Sequence, residues 1–393
     1  MPPLVDTLPA DWVYICEGGA TIVLSYHGPS NPFFDGTVLR LRKRALDDTD
    51  TDTVHDSEQE DPIIEFQEKC LERLISPTHL PRMKRVLVGA DSEKWLQALA
   101  VQCEPLRPLE RRQKDEIDRK RLKAVLATDL VGGEGITVEI KARCRACFYS
   151  SPKWGFLPSP IYLSNATRPI KTQTCRFCMH SHLKALSSSY CPLDLFSGDE
   201  SRTKKALNSL WDAWADRHGT VNNFRVFVNG KNISPTEQQC IVGLLSDIAD
   251  PKEAVISALL PVLLDAPVLH TISRLQRTLD ALDIEGLARL CGLAPIGTQP
   301  TIAEWTDFLD AYLASPTTPP PADATHLRYH VLAYLLSATF KDCSVLVRVP
   351  NGTATVIDLD PKSVDRLRKW EQLDREIVTA YAAVPNRKIC VDS

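Results

Sequence analysis

Residues Val356 to Asp360 read VIDLD, an apolar strand that closes on two alternating carboxylates. Side chains alternate along an extended strand, so Asp358 and Asp360 are expected on one face. Hard oxygen ligands at a strand end suit Mg²⁺ bound together with phosphates. Asp342, in TFKDCS just before the preceding strand, adds a third carboxylate, able to accept a hydroxyl proton while the others hold metal. Acids at strand ends are also ordinary turn residues, so the trio needs support from its surroundings. Near the start, Glu17-Gly18-Gly19-Ala20 follows a strand and offers backbone N–H groups to phosphate oxygens. Neither a Walker A nor a GxGxxG pattern is present. Arg40, in VLRLRK on a later strand, has the charge to reach nucleotide phosphates; the competing reading is a surface arginine on an edge strand.

Cys175-x-x-Cys178, followed by His180 and His182, has the spacing of half a tetrahedral zinc site. Cys144-x-x-Cys147, beginning 31 residues earlier, could complete a Cys₄ set, or His182 could give a mixed one. The other eight of the 12 cysteines, Cys191 and Cys390 among them, form no comparable spacing and read as small buried apolar residues.

Charge supplies the surroundings. The 46 Lys and Arg against 50 Asp and Glu give a formal charge of -4, which on its face argues against a polyanionic partner. The average hides two blocks. Asp47 to Asp61 holds eight acids and no Lys or Arg, and reads as a solvated acidic loop. Lys141 to Pro192 holds eight Lys and Arg and no acid, which invites an anion. Arg107, Arg111 and Arg112 open a third region of mixed sign, expected as a solvated helix or the entry to one.

The elements that must position these groups can be read from periodicity. A hairpin opens the chain, and GTVLRLRKR alternates as a strand. Helical spacing recurs in IIEFQEKCLERLISP, TCRFCMHSHLKALS, SRTKKALNSLWDAWADRHG, SPTEQQCIVGLLSDI and four later segments, before a last helix, WEQLDREIVTAYAAV. Asn229-Gly230 and Asn351-Gly352 are hairpin turn signals. The order suggests a β-rich N-terminal lobe, 1–135, and a larger α-rich C-terminal lobe, 136–393. A composition of 44% hydrophobic and 24% charged residues is globular. No run approaches twenty apolar residues, so no membrane partner is expected, and the start does not read as a secretory signal.

With these motifs in order, the chain resembles the inositol-pentakisphosphate 2-kinases. EGGA with VLR, ITVEIK with PKWGFLPSP, CRFCMHSHLK, YCPLDLFSG, FRVFVNG, LLSATFKDCS and VIDLDPK carry the resemblance over nearly the whole chain. It implies an α+β, two-lobed fold like that of inositol phosphate and protein kinases. The implied reaction is transfer of the ATP γ-phosphoryl to the 2-hydroxyl of inositol 1,3,4,5,6-pentakisphosphate, giving the hexakisphosphate, phytate.

Residue by residue, the resemblance implies that Glu17, Gly18, Gly19 and Arg40 meet ATP, with Glu139 in the nucleotide pocket. It implies that Lys141, Lys153, Lys184, Asn229 and Lys362 grip inositol phosphates, with Arg107 clamping another. Asp342 matches the proposed base and Asp360 the Mg²⁺ ligand, with Asp358 as companion. One departure stands out: residues 142–151 interrupt the family's EIKPK, and read as an insertion peripheral to the chemistry. That favours a structural zinc held by Cys175, Cys178, His182 and a further donor. The rival readings are an inositol phosphate kinase of other regiospecificity and a zinc-containing nucleic-acid-binding protein. The latter leaves VIDLD unexplained, so nucleic acid is not an expected partner. A monomer in the nucleus, the cytoplasm or both completes the expectation.

Overall fold

Glu17 and Thr21 bracket the first tight turn, which joins β1 (Trp12–Glu17) to β2 (Thr21–Tyr26), and β3 (Thr37–Ala45) continues the antiparallel ladder. In the computed structural model, residues 2–47, 61–89, 92–141, 156–184, 189–221, 223–245, 248–292, 296–349 and 351–392 are described. The acidic stretch 48–60 and the insertion 142–151, with Cys144 and Cys147, lie outside them, as does Lys153.

The chain divides into two units. The first comprises Met1–Gln67, Pro81–Glu134 and Asn229–Lys231. After β3 come α1 (Pro62–Lys69), β4 (Met83–Leu87), α2 (Ser92–Cys103), α3 (Leu109–Arg112), β5 (Asp115–Ile117) and β6 (Lys123–Thr128). The sheet order is β1-β2-β3-β6-β4, with β5 paired to β3. Alternation along β3 sends Leu39 and Leu41 into a core with Trp12, Ile22 and Leu24. Trp95, Leu96 and Leu99, one and four residues apart on α2, cover that core. A fully buried leucine contributes about 1.5–3 kcal/mol of transfer free energy, so this one face of α2 holds the helix on the sheet.

The mixed-charge region departs from its expected helix. Only Leu109–Arg112 is helical, and Asp115–Ile117 is extended. The reason is tertiary: β5 pairs with the end of β3, and Lys43 reaches Asp115 at 3.0 Å. SPTEQQC is likewise shorter than expected, a 3-10 turn over Pro235–Ile241.

The second unit comprises Glu68–Leu80, Gly135–Val228 and Asn232–Ser393. Its elements are β7 (Ile136–Lys141), α4 (Arg168–Lys171), α5 (Arg176–Leu183), α6 (Pro192–Leu195), α7 (Glu200–Asp216), β8 (Phe224–Val228) and β9 (Lys231–Ile233). There follow α8 (Pro251–Asp265), α9 (Pro267–Leu279), α10 (Asp283–Cys291), α11 (Ile302–Ala314), α12 (Leu327–Lys341), β10 (Ser344–Arg348), β11 (Thr353–Ile357) and α13 (Leu367–Ala382). The sheet runs β11-β10-β7-β8-β9, so β7 lies at its centre. Helix α12 is buried almost all round, as a central core helix must be. No single helix among the described residues is long and apolar enough to cross a membrane.

The basic block is acid-free in sequence but not in space. Lys171 lies 2.5 Å from Asp283 and 2.8 Å from Asp374, and Arg176 pairs with Asp374; all four are buried. Lys341, on α12, pairs with Asp280 at 2.5 Å, also inside the core. Burial pushes the Lys341 ammonium down and the Asp280 carboxyl up, each moving towards its neutral form. Two of the block's eight cations therefore brace helices instead of facing an anion.

Candidate functional site

Antiparallel register brings the second unit's candidate residues together. Ser344 pairs with Lys141 on one side and Ile357 on the other, so the last residue of β7, the first of β10 and the last of β11 form one row. Asp342 precedes that row by two residues, while Asp358, Asp360 and Lys362 follow it closely along the chain. Asp342 caps the C-terminus of α12, and its Oδ2 accepts a bond from Lys362 Nζ at 2.8 Å. Both side chains are largely buried. Lys141 Nζ pairs with Asp358 and lies 3.9 Å from Glu139. The Ser344 hydroxyl sits 2.9 Å from Glu139 Oε1 and 3.2 Å from Asp358 Oδ2, bridging the two acids. Glu139 also receives Arg225 Nη1 at 3.3 Å. Thr339 Oγ1 donates to the Asp360 carbonyl at 3.1 Å, tying α12 to the acid-bearing segment.

The VIDLD geometry differs from the strand expectation. Strand β11 ends at Ile357, and Asp358 has φ 63°, in the left-handed region. Asp358 therefore does not follow the alternation that would put it beside Asp360. An L-residue with a Cβ is uncommon there, and aspartate is among the side chains that tolerate it. The turn aims the Asp358 carboxylate back at Lys141 and Ser344. Asp358 and Asp360 are both exposed, so their oxygens are accessible to a cation as well as to these partners. Between the acids, Cys343 is no nucleophile. Burial, reinforced by the charges of Asp342 and Asp358, pushes its thiol up to about 12.

Asn229 falls elsewhere. Val228 pairs with Ile136, at the far end of β7 from Lys141. Five residue steps of strand separate those ends, about 17 Å. Asn229 has φ 48° and Gly230 φ 80°, the hairpin turn the Asn-Gly pair encodes. The asparagine beside Lys141 is instead Asn223, buried, whose carbonyl accepts the Lys141 N–H at 2.9 Å. Sequence reading passed over it; the signal was there, since antiparallel pairing of ITVEIK with FRVFV must place NN, not NG, at the lysine end. Lys184 caps the C-terminus of α5 and is exposed.

In the first unit, Gly18 and Gly19 form the β1–β2 turn, with Gly18 N–H bonded to Thr21 O at 2.9 Å. Neither has a positive φ, and a Cβ on either would meet nothing within 4 Å. Nothing in the chain itself requires glycine here, which leaves the backbone open to an approaching ligand. Arg40 lies on a central strand, not an edge. It pairs with Val23 and Val125, and shares their sheet face with Val38, Ala127 and Met83.

Glu17 and Arg107 have partners in the protein. The Glu17 carboxylate accepts Lys43 Nζ at 2.9 Å and Arg107 Nη2 at 3.0 Å, and Arg107 also reaches Asp115 Oδ1 at 2.5 Å and Glu104 Oε2 at 3.2 Å. The Glu17, Lys43 and Arg107 side chains are almost wholly buried. This network fixes the last residue of β1, and with it the start of the glycine turn.

The cysteines require a correction. His182 is exposed and edge-on to Tyr381, 5.5 Å between ring centroids. The buried group is Cys175, Cys178, Cys191 and Cys390, whose Sγ atoms all lie within 4.8 Å of one another. Cys191 and Cys390, expected to be mere apolar filling, supply the missing half. Cys390 stands 215 residues from Cys175, beyond the reach of any spacing argument.

This is a mixed α+β protein of the two-lobed class, β-rich in its smaller unit and α-rich in its larger. The chain belongs to the inositol-pentakisphosphate 2-kinase family, whose model matches residues 14–376. An inositol-pentakisphosphate 2-kinase of Cryptococcus neoformans var. neoformans serotype D is 33% identical over 408 residues, covering 95% of this chain and 94% of that protein. One from Arabidopsis thaliana is 27% identical over 455 residues, covering 96% and 94%. One from Danio rerio is 39% identical over 93 residues, 22% of this chain and 17% of that protein.

Proposed function

We propose that the protein transfers the γ-phosphoryl of ATP to the 2-hydroxyl of inositol 1,3,4,5,6-pentakisphosphate. The observation that carries this reading is the convergence of Lys141, Asp342, Asp358, Asp360 and Lys362 at one end of the second unit's sheet. Phosphoryl transfer needs little covalent help from a protein. It needs positioning and compensation of charge on the equatorial oxygens.

Asp342 orients the acceptor hydroxyl and takes its proton, while Lys362, 2.8 Å away, holds the carboxylate in place. Lys141 and the exposed Lys184 bind substrate phosphates, and Lys153 is assigned with them from the family pattern. Lys362 keeps one N–H on Asp342 and offers the other donors of its ammonium to a substrate phosphate. In the first unit, the open Gly18-Gly19 backbone and Arg40 meet the nucleotide phosphates. Glu17 and Arg107 act as positioning residues for that turn, and Glu139 steadies Lys141 and Ser344. Asp358 and Asp360, accessible hard-oxygen donors, fit Mg²⁺, which when bound neutralises nucleotide phosphate charge.

Asp342→Asn keeps the shape and removes the base. It should lower kcat by about 10²–10⁴-fold. Calorimetric binding of the pentakisphosphate should stay within about threefold of wild type, because the lost interaction belongs to the transition state. Near wild-type turnover would remove Asp342 from its role.

A further inference from the structure

We propose that Gln276, on α9, is a positioning residue that sets where the Asp342 carboxylate lies. This rests on the reading of Asp342 as the group that takes the acceptor's proton, and deepens it. Gln276 is 1% exposed, so it is closed to substrate and acts only through the chain it holds. That chain is the last turn of α12, which carries Asp342 as its C-cap. Strand β10 begins two residues later, at Ser344. A helix end leaves carbonyls with no helical N–H to meet them. The common closure is a left-handed residue, usually glycine, just beyond the cap. Here that position is Cys343, whose φ is not positive. Phe340 and Lys341 are buried, which keeps water from closing the turn instead.

Helix α9 supplies the closure. Gln276 Nε2 donates to the Phe340 carbonyl at 3.0 Å, and Ser337 Oγ donates back to the Gln276 carbonyl at 2.8 Å. Ser337 and Phe340 lie three residues apart on one face of α12, so a single glutamine spans the turn with its main chain and its side chain. A second anchor stands beside it. Asp280, the C-cap of α9, holds Lys341 Nζ at 2.5 Å, and that ammonium lies 5.0 Å from the Tyr334 ring centre and 5.3 Å from that of Phe156. Both residues immediately before Asp342 are therefore fixed to α9. From the other side, the Asp342 N–H bonds to Thr339 O at 3.2 Å. Thr339 Oγ1 in turn reaches the Asp360 carbonyl, so the same turn sets the spacing between Asp342 and the acid-bearing segment.

An apolar residue at 276 would serve if α9 and α12 had only to pack. A buried amide bonded at both ends adds a fixed distance and direction. That is what a proton acceptor needs, since it must lie within about 2.6–3.2 Å of the hydroxyl it serves. A misplacement of about 1 Å can cost about 10²-fold in rate. Lys362 fixes the outer end of the Asp342 side chain; Gln276 fixes the backbone from which it projects.

The test is steady-state kinetics of full-length Gln276→Met with MgATP and inositol 1,3,4,5,6-pentakisphosphate, at a temperature where circular dichroism shows the variant folded. Methionine keeps the length of the side chain and removes its donor. kcat should fall by about 10–10²-fold, with KM for both substrates within about twofold of wild type. Placed in Asp342→Asn protein, the same substitution should lower kcat by less than about twofold more, because the group it positions is already lost. If Gln276→Met does not fold, Ser337→Ala carries the comparison in both backgrounds, with an expected loss of about threefold in kcat in the presence of Asp342. A variant that melts earlier yet turns over like wild type overturns the proposal. So does a loss of equal size with and without Asp342, and both results leave the role of Asp342 standing. Near wild-type turnover by Asp342→Asn alone is the separate result that removes the base, and with it anything for Gln276 to position.

Discussion

Replacing Arg107 by methionine removes a buried charge while keeping much of the side-chain volume. In the native arrangement two cations, Lys43 and Arg107, face two enclosed carboxylates, Glu17 and Asp115, with Glu104 at the rim. After the substitution Lys43 alone faces both acids, and one enclosed negative charge is uncompensated. Breaking a buried ion pair from one side costs about 3–5 kcal/mol. For a unit the size of the first, at about 3 °C per kcal/mol, thermal unfolding should fall by roughly 10–15 °C. Adding Asp115→Asn restores the balance of one cation and one acid. The double variant should recover at least half of the loss, a coupling that a double-mutant cycle measures directly. The assay is differential scanning calorimetry, run beside steady-state kinetics with the inositol phosphate at temperatures where every variant is folded. If Arg107→Met melts with wild type and shows instead a raised KM for the inositol phosphate, Arg107 is a phosphate clamp and the positioning role fails.

Two further outcomes separate neighbouring roles. Cys343, its thiol pushed up to about 12, has only about one part in 10⁴ as thiolate at pH 8, so iodoacetamide should label the exposed Cys240 and spare Cys343 in the native protein; equal labelling of both would contradict the environment described. Asn229→Gly should keep stability and the KM for the inositol phosphate close to wild type, since glycine adopts the left-handed turn freely, whereas Asn229→Ala should cost about 1 kcal/mol in chemical denaturation. A KM raised tenfold or more by Asn229→Gly would return that side chain to the substrate site.

What could be read before folding was local. Alternation in GTVLRLRKR and the Asn-Gly turns specify strands and hairpins through short-range sterics, and the strands formed where expected. The same short range explains the errors. Alternation in VIDLD could not foresee that Asp358 turns into the left-handed region to meet Lys141, a residue 217 positions away. The charged run after Arg107 has helical composition, yet pairing with β3 and burial of Arg107 decide its conformation. Helix α2 was legible and passed over: Trp95, Leu96, Leu99 and Cys103 are its buried stripe. The cysteines show the limit most plainly. C-x2-C marked half the cluster, the nearby His182 was a decoy on an exposed face, and the completing Cys390 is identifiable only once the tail has folded back. Charge misled in the same way, because Lys171 and Arg176 find their acids on α10 and α13.

The decisive measurement is incubation of the purified protein with MgATP and inositol 1,3,4,5,6-pentakisphosphate, followed by phosphorus and proton NMR of the product. Stoichiometric formation of ADP and inositol hexakisphosphate, with the new ester on the 2-hydroxyl, is the predicted result. Failure to phosphorylate this acceptor under conditions where the protein is folded, or a new phosphate that joins an existing phosphate instead of the 2-hydroxyl, would contradict it.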